Sequence, residues 1–261
     1  MNSPFSRKPL ALANWKMAMT VSDGLAFVRE FGAAVGALAQ SVTIVLCPPY
    51  TAIHALSKLL TNSPIELGAQ DFCAAPGNAH TGQISAPLLA DAGCVWVMLG
   101  HWEVRRRTGE TDEKVNNKMH AALKAELRPI LLTGESAPER GHAQAVLAAR
   151  LPDLFAGCEP WQIAQMTVLY EPEWTIGMQE PAPADYIASS CSFIRDWIGQ
   201  EYGEDAANKT RIIYGGSVAP KHAEALLSSP DVDGLGAGRM GRDPVAFEQI
   251  VQTIGRAKGL V

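Results

Sequence analysis

Eight short apolar runs punctuate the chain, at residues 10–13, 42–47, 65–69, 95–99, 130–132, 167–170, 212–214 and 235–237. They are rich in Val, Ile and Leu, and most give way to Gly, Pro, Asn or a charged turn, as strands do. None alternates with polar residues, so both faces of each strand are expected to be buried, as in a parallel sheet covered by helices. The longer stretches between them carry a helical period. Leu25, Val28, Phe31, Val35 and Leu38 share one side of residues 24–38, and residues 114–127, 143–151, 185–202 and 244–254 repeat the pattern. Strand followed by helix, eight times over, predicts an α/β fold: a (β/α)8 barrel in one domain over residues 1–261. An open doubly wound sheet would carry a Gly-rich fingerprint after its first strand, where Asn14-Trp15-Lys16 stands instead.

Composition narrows the class. A chain of 261 residues is long enough to bury a core without metal or disulfide staples. Its 22 basic against 27 acidic side chains leave a net charge of −5, which speaks against a nucleic-acid partner. The five cysteines are odd in number and scattered without Cys-x-x-Cys spacing, which disfavours a disulfide framework or a zinc ribbon and favours a reducing compartment. Residues 1–16 hold no signal core, and no run of about 18 apolar residues exists to span a bilayer. The expectation is a cytoplasmic protein without a membrane partner.

In such a barrel, functional groups gather where strands end and βα loops begin. The polar residues at those ends are Asn14 and Lys16, Gln70 and Asp71, His101 with Trp102 and Glu103, Glu171, then Gly215-Gly216-Ser217 and Gly236 to Gly238. A Lys, a His and a Glu around one mouth supply a cation, a proton shuttle and a base. Two glycine clusters on the last two strands suit backbone N–H groups cupping a phosphate.

The motifs then resemble those of the triosephosphate isomerase family: "ANWKM" at 13–17, "GAQ" at 68–70, "TGQIS" at 81–85, "LGH" at 99–101, "GE" at 134–135, "YEP" with "W" and "IG" through 170–177, and "YGGSV" at 214–218. The resemblance runs from Ala13 to about Gly241. It implies that Glu171 is the base, His101 a neutral imidazole donating to the enediol(ate) oxygens, and Lys16 and Asn14 the fixed stabilisers of developing negative charge. Glu103 would orient Lys16. Residues 172–182 would form a lid, with Trp174 in its first hinge, Gly177 closing on the phosphate, and Tyr214 and Ser217 as latches. Ser217, Gly238 and Arg239 would complete the phosphate site. Closure would keep water from an enediolate that otherwise expels its phosphate. The resemblance implies no metal and no cofactor, a small phosphorylated sugar as substrate, a place in glycolysis and gluconeogenesis, and a homodimer. In that dimer the 71–83 loop would reach the partner subunit, with Thr81 near its Asn14 and Glu103.

Departures from the family pattern cluster near the substrate. Trp102 stands in place of a serine, a large ring beside the base that would change the base's resting pose and redraw that end of the pocket, its indole N–H donating to Glu171 or pointing into the barrel wall. Val104 stands in place of an arginine, Asp71 of an asparagine and Leu132 of a cysteine. Glu173 occupies the lid's first hinge, Gln179-Glu180 its far end, and Arg239 the place of a glycine, where a Cβ would disfavour a positive φ. The Gly238-Arg239 pair also resembles the erythrulose-phosphate isomerase-like branch. Two further readings therefore stand beside a triosephosphate isomerase: an isomerase of a four-carbon tetrulose phosphate, and a non-catalytic phosphate-binding barrel.

Overall fold

A computed structural model describes residues 7–261; the opening of the N-terminal stretch, residues 1–6, lies outside the described residues. Eight parallel strands close into one barrel in sequence order: β1 (Leu10–Asn14), β2 (Thr43–Cys47), β3 (Ile65–Ala69), β4 (Trp96–Leu99), β5 (Arg128–Thr133), β6 (Thr167–Tyr170), β7 (Arg211–Gly215) and β8 (Gly234–Ala237). All eight predicted strands are present, with ends shifted by no more than two residues. β8 pairs with β1, Gly234 opposite Leu10 and Ala237 opposite Ala13, and so closes the ring.

Side-chain parity divides the core in two. Leu10, Leu12, Val45, Cys47, Trp96, Met98, Ile130, Leu132, Leu169 and Ile213 fill the barrel interior. The alternate residues, such as Ala11, Ile44, Val97 and Val168, face the helices. The first helix, Val21–Val35, starts at a capping box in which Thr20 and Asp23 bond reciprocally. Its Phe31 packs on Phe247 of the last helix, Pro244–Ala257, with ring centroids 5.0 Å apart, so first and last helices join over the β8–β1 seam.

The five predicted helices are present. Four of them have shifted ends: residues 24–38 become Val21–Val35 plus a separate turn at Leu38–Ser41, the second is Asp112–Lys124, the third continues past Pro152 to Phe155, and the last runs on to Ala257. Shorter helices, among them Trp102–Thr108 and Pro220–Leu226, have about two turns each, too few for an apolar period to declare itself. Among the described residues no helix is long and apolar enough to cross a membrane.

The seam depends on one glycine. A Cβ on Gly234 would overlap the carbonyl oxygen of Leu10 directly across the β8–β1 pair. Gly234→Ala must push the strands apart, and is expected to cost about 3 kcal/mol, the upper range for overpacking. A urea-unfolding midpoint equal to wild type would show that the seam has slack.

Candidate active site

The C-terminal ends of the strands surround a cavity of about 480 Å³. Asn14, Lys16, His101 and Glu171 line it, together with Gly177, Ser217, Gly238 and Arg239. Four cationic side chains, Lys16, Lys221, Arg239 and Arg242, face it against the one carboxylate of Glu171. In a chain of net charge −5, this mouth is built for an anion.

Each residue is placed by its strand. Lys16 follows β1 with φ at 52°, in the left-handed region; its N–H donates to Asn14 Oδ1 at 3.0 Å. The carboxamide of Gln70, after β3, donates to the Lys16 and Cys47 carbonyls at 2.8 and 3.0 Å and ties that turn to its neighbours. Lys16 Nζ pairs with Glu103 Oε1 at 2.6 Å. Burial works to raise the Glu103 carboxyl, but the hydrogen bond and charge of Lys16 outweigh it and hold the group below its ordinary value. Glu103 does not line the cavity; it sits behind Lys16.

His101 caps the helix Trp102–Thr108: the Glu103 N–H donates to His101 Nδ1 at 3.1 Å. A nitrogen that accepts carries no proton, so the hydrogen-bond network assigns the neutral tautomer with its proton on Nε2. His101 is buried, and Nε2 lies 3.5 Å from Glu171 Oε2. That oxygen is itself buried and has no hydrogen-bond partner. Gly215 leaves room for the carboxylate, since a Cβ there would sit 3.2 Å from Glu171 Oε1.

Trp102 does not touch the carboxylate and does not line the cavity. Its indole N–H donates to the backbone carbonyl of Glu171 at 3.0 Å, and the Arg150 guanidinium lies 5.0 Å from its ring centroid. The expectation that Trp102 reshapes the base end of the pocket is therefore corrected: it fixes the main chain behind the base. Arg239 corrects a second one. Its φ is −56°, so its Cβ strains nothing, and its guanidinium donates to the Met178 carbonyl of the 172–182 segment.

That segment is held at both ends. Trp174 Nε1, Tyr170 OH and Tyr186 OH all donate to Glu135 at 2.7–2.9 Å, and Glu135 is fully buried. Glu173 pairs with Arg106 at 2.6 Å and accepts from the Ala137 N–H at 2.7 Å. Farther along, the Ser217 hydroxyl lies 2.7 Å from both the Thr175 and Met178 carbonyls. The Ala182 N–H donates to Tyr214 OH at 3.0 Å, and Glu180 meets Lys221 and His222 at 2.9 and 2.8 Å. Gly216, with φ at 121°, must be glycine because a Cβ would overlap Thr175 Oγ1. Among the described residues no protein acceptor takes the backbone N–H of Gly177, Ser217, Gly238 or Arg239. All four residues line the cavity.

Glu135, Arg106 and Arg150 carry much of this framework, yet nothing in the spacing of the chain assigns them a role. The one available signal for Glu135 is its place in the "GE" pair directly after β5.

Barrel and site together define an isomerase of phosphorylated sugars built on the (β/α)8 fold. The chain belongs to the triosephosphate isomerase family, whose sequence model matches residues 9–254. It is 40% identical to the triosephosphate isomerase of Chloroflexus aurantiacus over 248 residues, covering 94% of this chain and 98% of that one. To the triosephosphate isomerase of Symbiobacterium thermophilum it is 38% identical over 254 residues, 97% and 99% of the two chains. The crystal structure of triosephosphate isomerase from Bartonella henselae superposes with a TM-score of 0.84 at 29% identity, over 94% of this chain and 98% of that one. With these relatives in view, the four-carbon and non-catalytic readings are not needed.

Glu135→Leu removes the acceptor of three donors, one on buried Tyr170 and two on half-buried Trp174 and Tyr186. Orphaned donors cost about 1–3 kcal/mol each, so a stability loss of about 3 kcal/mol or more is expected in urea unfolding, together with a changed Trp174 fluorescence. A variant as stable as wild type would show that the donors find water instead.

Proposed function

We propose that the chain interconverts dihydroxyacetone phosphate and glyceraldehyde 3-phosphate by proton transfer, with Glu171 as the base. The observation that carries this reading is the buried, partnerless Oε2 of Glu171, 3.5 Å from His101 Nε2 at the edge of the cavity. Glu171 removes the proton from the carbon beside the carbonyl, and the carbonyl oxygen takes up the negative charge. The Nε2–H of His101 donates to that oxygen, and the Lys16 ammonium and Asn14 lie beside it. His101 passes its Nε2 proton to that oxygen and takes up the proton of the neighbouring hydroxyl, so that when Glu171 returns its proton to the adjacent carbon the carbonyl stands on the other oxygen. The N–H groups of Gly177, Ser217, Gly238 and Arg239 hold the phosphate. The Arg239 guanidinium couples the phosphate to the lid through Met178, while Trp174 and Tyr214 fix the lid's two ends and Glu103 orients Lys16.

We infer a homodimer as well. Met17, next to Lys16, is fully exposed, and residues 75–83 of the 71–83 loop stand out from the barrel almost without burial. A partner subunit's loop covering Met17 would bury that side chain and brace the Lys16 turn. Residues 1–261 act as one domain in this reading. Five free cysteines and bacterial relatives support a cytoplasmic enzyme of glycolysis and gluconeogenesis.

Two measurements test this reading. Glu171→Gln is expected to lower kcat by about 10²–10⁴-fold or more, the span of general-base catalysis, with inorganic phosphate binding little changed. A variant keeping a tenth of wild-type kcat would remove Glu171 from the proton path. Met17→Asp is expected to shift sedimentation from dimer to monomer and to reduce kcat as the Lys16 turn loses its support. A Met17→Asp protein that sediments and turns over like wild type would exclude this face from the interface.

A further inference from the structure

The barrel has a second mouth, at the N-terminal ends of the strands. A cavity of about 440 Å³ opens there, lined by Arg7, Lys8, Arg128, Lys209 and Arg211 against the one carboxylate of Glu66. It shares no residue with the catalytic cavity. Parity explains the composition. Arg128 and Arg211 precede the interior residues Ile130 and Ile213 by two, so they continue the inward face of β5 and β7 downward.

Ion pairing leaves this mouth unbalanced. Arg7 is neutralised by Asp233 at 2.7 Å and Lys209 by Asp205 at 2.8 Å. Glu66 accepts the indole N–H of Trp96 at 2.8 Å and lies a distant 3.8 Å from Arg128. Among the described residues no carboxylate comes within 4.0 Å of Lys8 or Arg211. The single side-chain hydrogen bond of Arg211 is a long one, 3.4 Å to Thr43 Oγ1. Three cations thus face one carboxylate, an excess of two positive charges.

Two of those cations also share one aromatic ring. The guanidinium groups of Arg128 and Arg211 lie 5.4 and 5.1 Å from the centroid of the same Trp96 ring, which floors the barrel and is fully buried. Stacking on an indole compensates part of a guanidinium's lost hydration, but it does nothing for the repulsion between two of them. Burial and, after it, the charge of Arg128 push Arg211 below its ordinary value. A dianion in the cavity that both line would turn the repulsion into two charge-assisted contacts of the kind arginine forms with phosphoryl oxygens.

We propose that this N-terminal mouth is a binding site for a phosphoryl dianion, held by Lys8, Arg128 and Arg211 above Trp96. Its volume exceeds that of one phosphate group, so a second phosphoryl group is accommodated and pyrophosphate binds more tightly than orthophosphate.

The test is to titrate inorganic phosphate and pyrophosphate into the full chain while following the indole N–H resonance of Trp96, identified with Trp96→Phe. A saturable shift is expected with both anions, tighter for pyrophosphate, and none with sodium chloride at matched ionic strength. The shift should persist in Lys16→Met, which removes one of the four cations of the catalytic mouth and touches no residue of this one. In the double variant Lys8→Gln, Arg128→Gln the affinity should fall at least about tenfold, as expected when charge-assisted contacts are removed. Lys8→Gln alone, at an exposed position ahead of β1, should weaken binding in the same direction. Absence of a saturable shift, an equal shift with chloride, or undiminished affinity in the double variant would overturn the proposal and leave the stacked arginines as packing alone.

Discussion

A closed ring of parallel strands has a side-chain period of two, and that constraint settles which residues meet at either mouth. Leu12, Leu169 and Gly236 point into the barrel, and two residues beyond them stand Asn14, Glu171 and Gly238. A slip of one residue in β6 would send Glu171 outward and bring Tyr170 into the barrel. Register is held by the buried side chains themselves, each worth about 1.5–3 kcal/mol of removed apolar surface, and by the seam at which Gly234 meets Leu10. Catalytic geometry here is a by-product of core packing.

Around that frame, three of the departures from the family pattern, Trp102, Glu173 and Arg239, act on the main chain of the base and on the lid. Trp102 grips the main chain of Glu171 and is itself covered by Arg150, which bonds to Asp112 and to the carbonyl of Gly134. Glu173 draws Arg106, from the helix that begins at Trp102, onto the start of the lid. The main chain on both sides of the base is therefore pinned, while the carboxylate is left without a partner and free to reach substrate. Arg239 plays the matching part at the other side, holding the lid from the phosphate loop.

The fold was legible because burial on both faces writes strands as unbroken apolar runs, and eight of them in alternation with helices admit few architectures. Asn14, Lys16, His101 and Glu171 were legible for a related reason, since polar residues directly after such runs must lie at the mouth. What remained hidden depends on contacts between residues far apart in the chain. Glu135 looks like an ordinary turn residue until three donors from Tyr170, Trp174 and Tyr186 converge on it. Trp102 beside the base suggested a contact with the carboxylate, but rotamer and packing aim its indole at the backbone oxygen. Arg239 suggested strain, and its helical φ shows none. The short helices escaped because two turns, set by caps and crossover geometry, carry too little periodicity.

Isomerisation at this site depends on one carboxylate moving a proton between neighbouring carbons, rather than a hydride passing directly between them. Running the isomerisation in deuterium oxide and locating the label by NMR addresses this at the reacting atoms. A proton held on Glu171 has time to exchange, so product should carry solvent deuterium on the carbon that receives it, at a substantial fraction of turnovers. Product that forms at full rate with that carbon wholly undeuterated would mean a direct hydride shift, and would contradict the role given to Glu171.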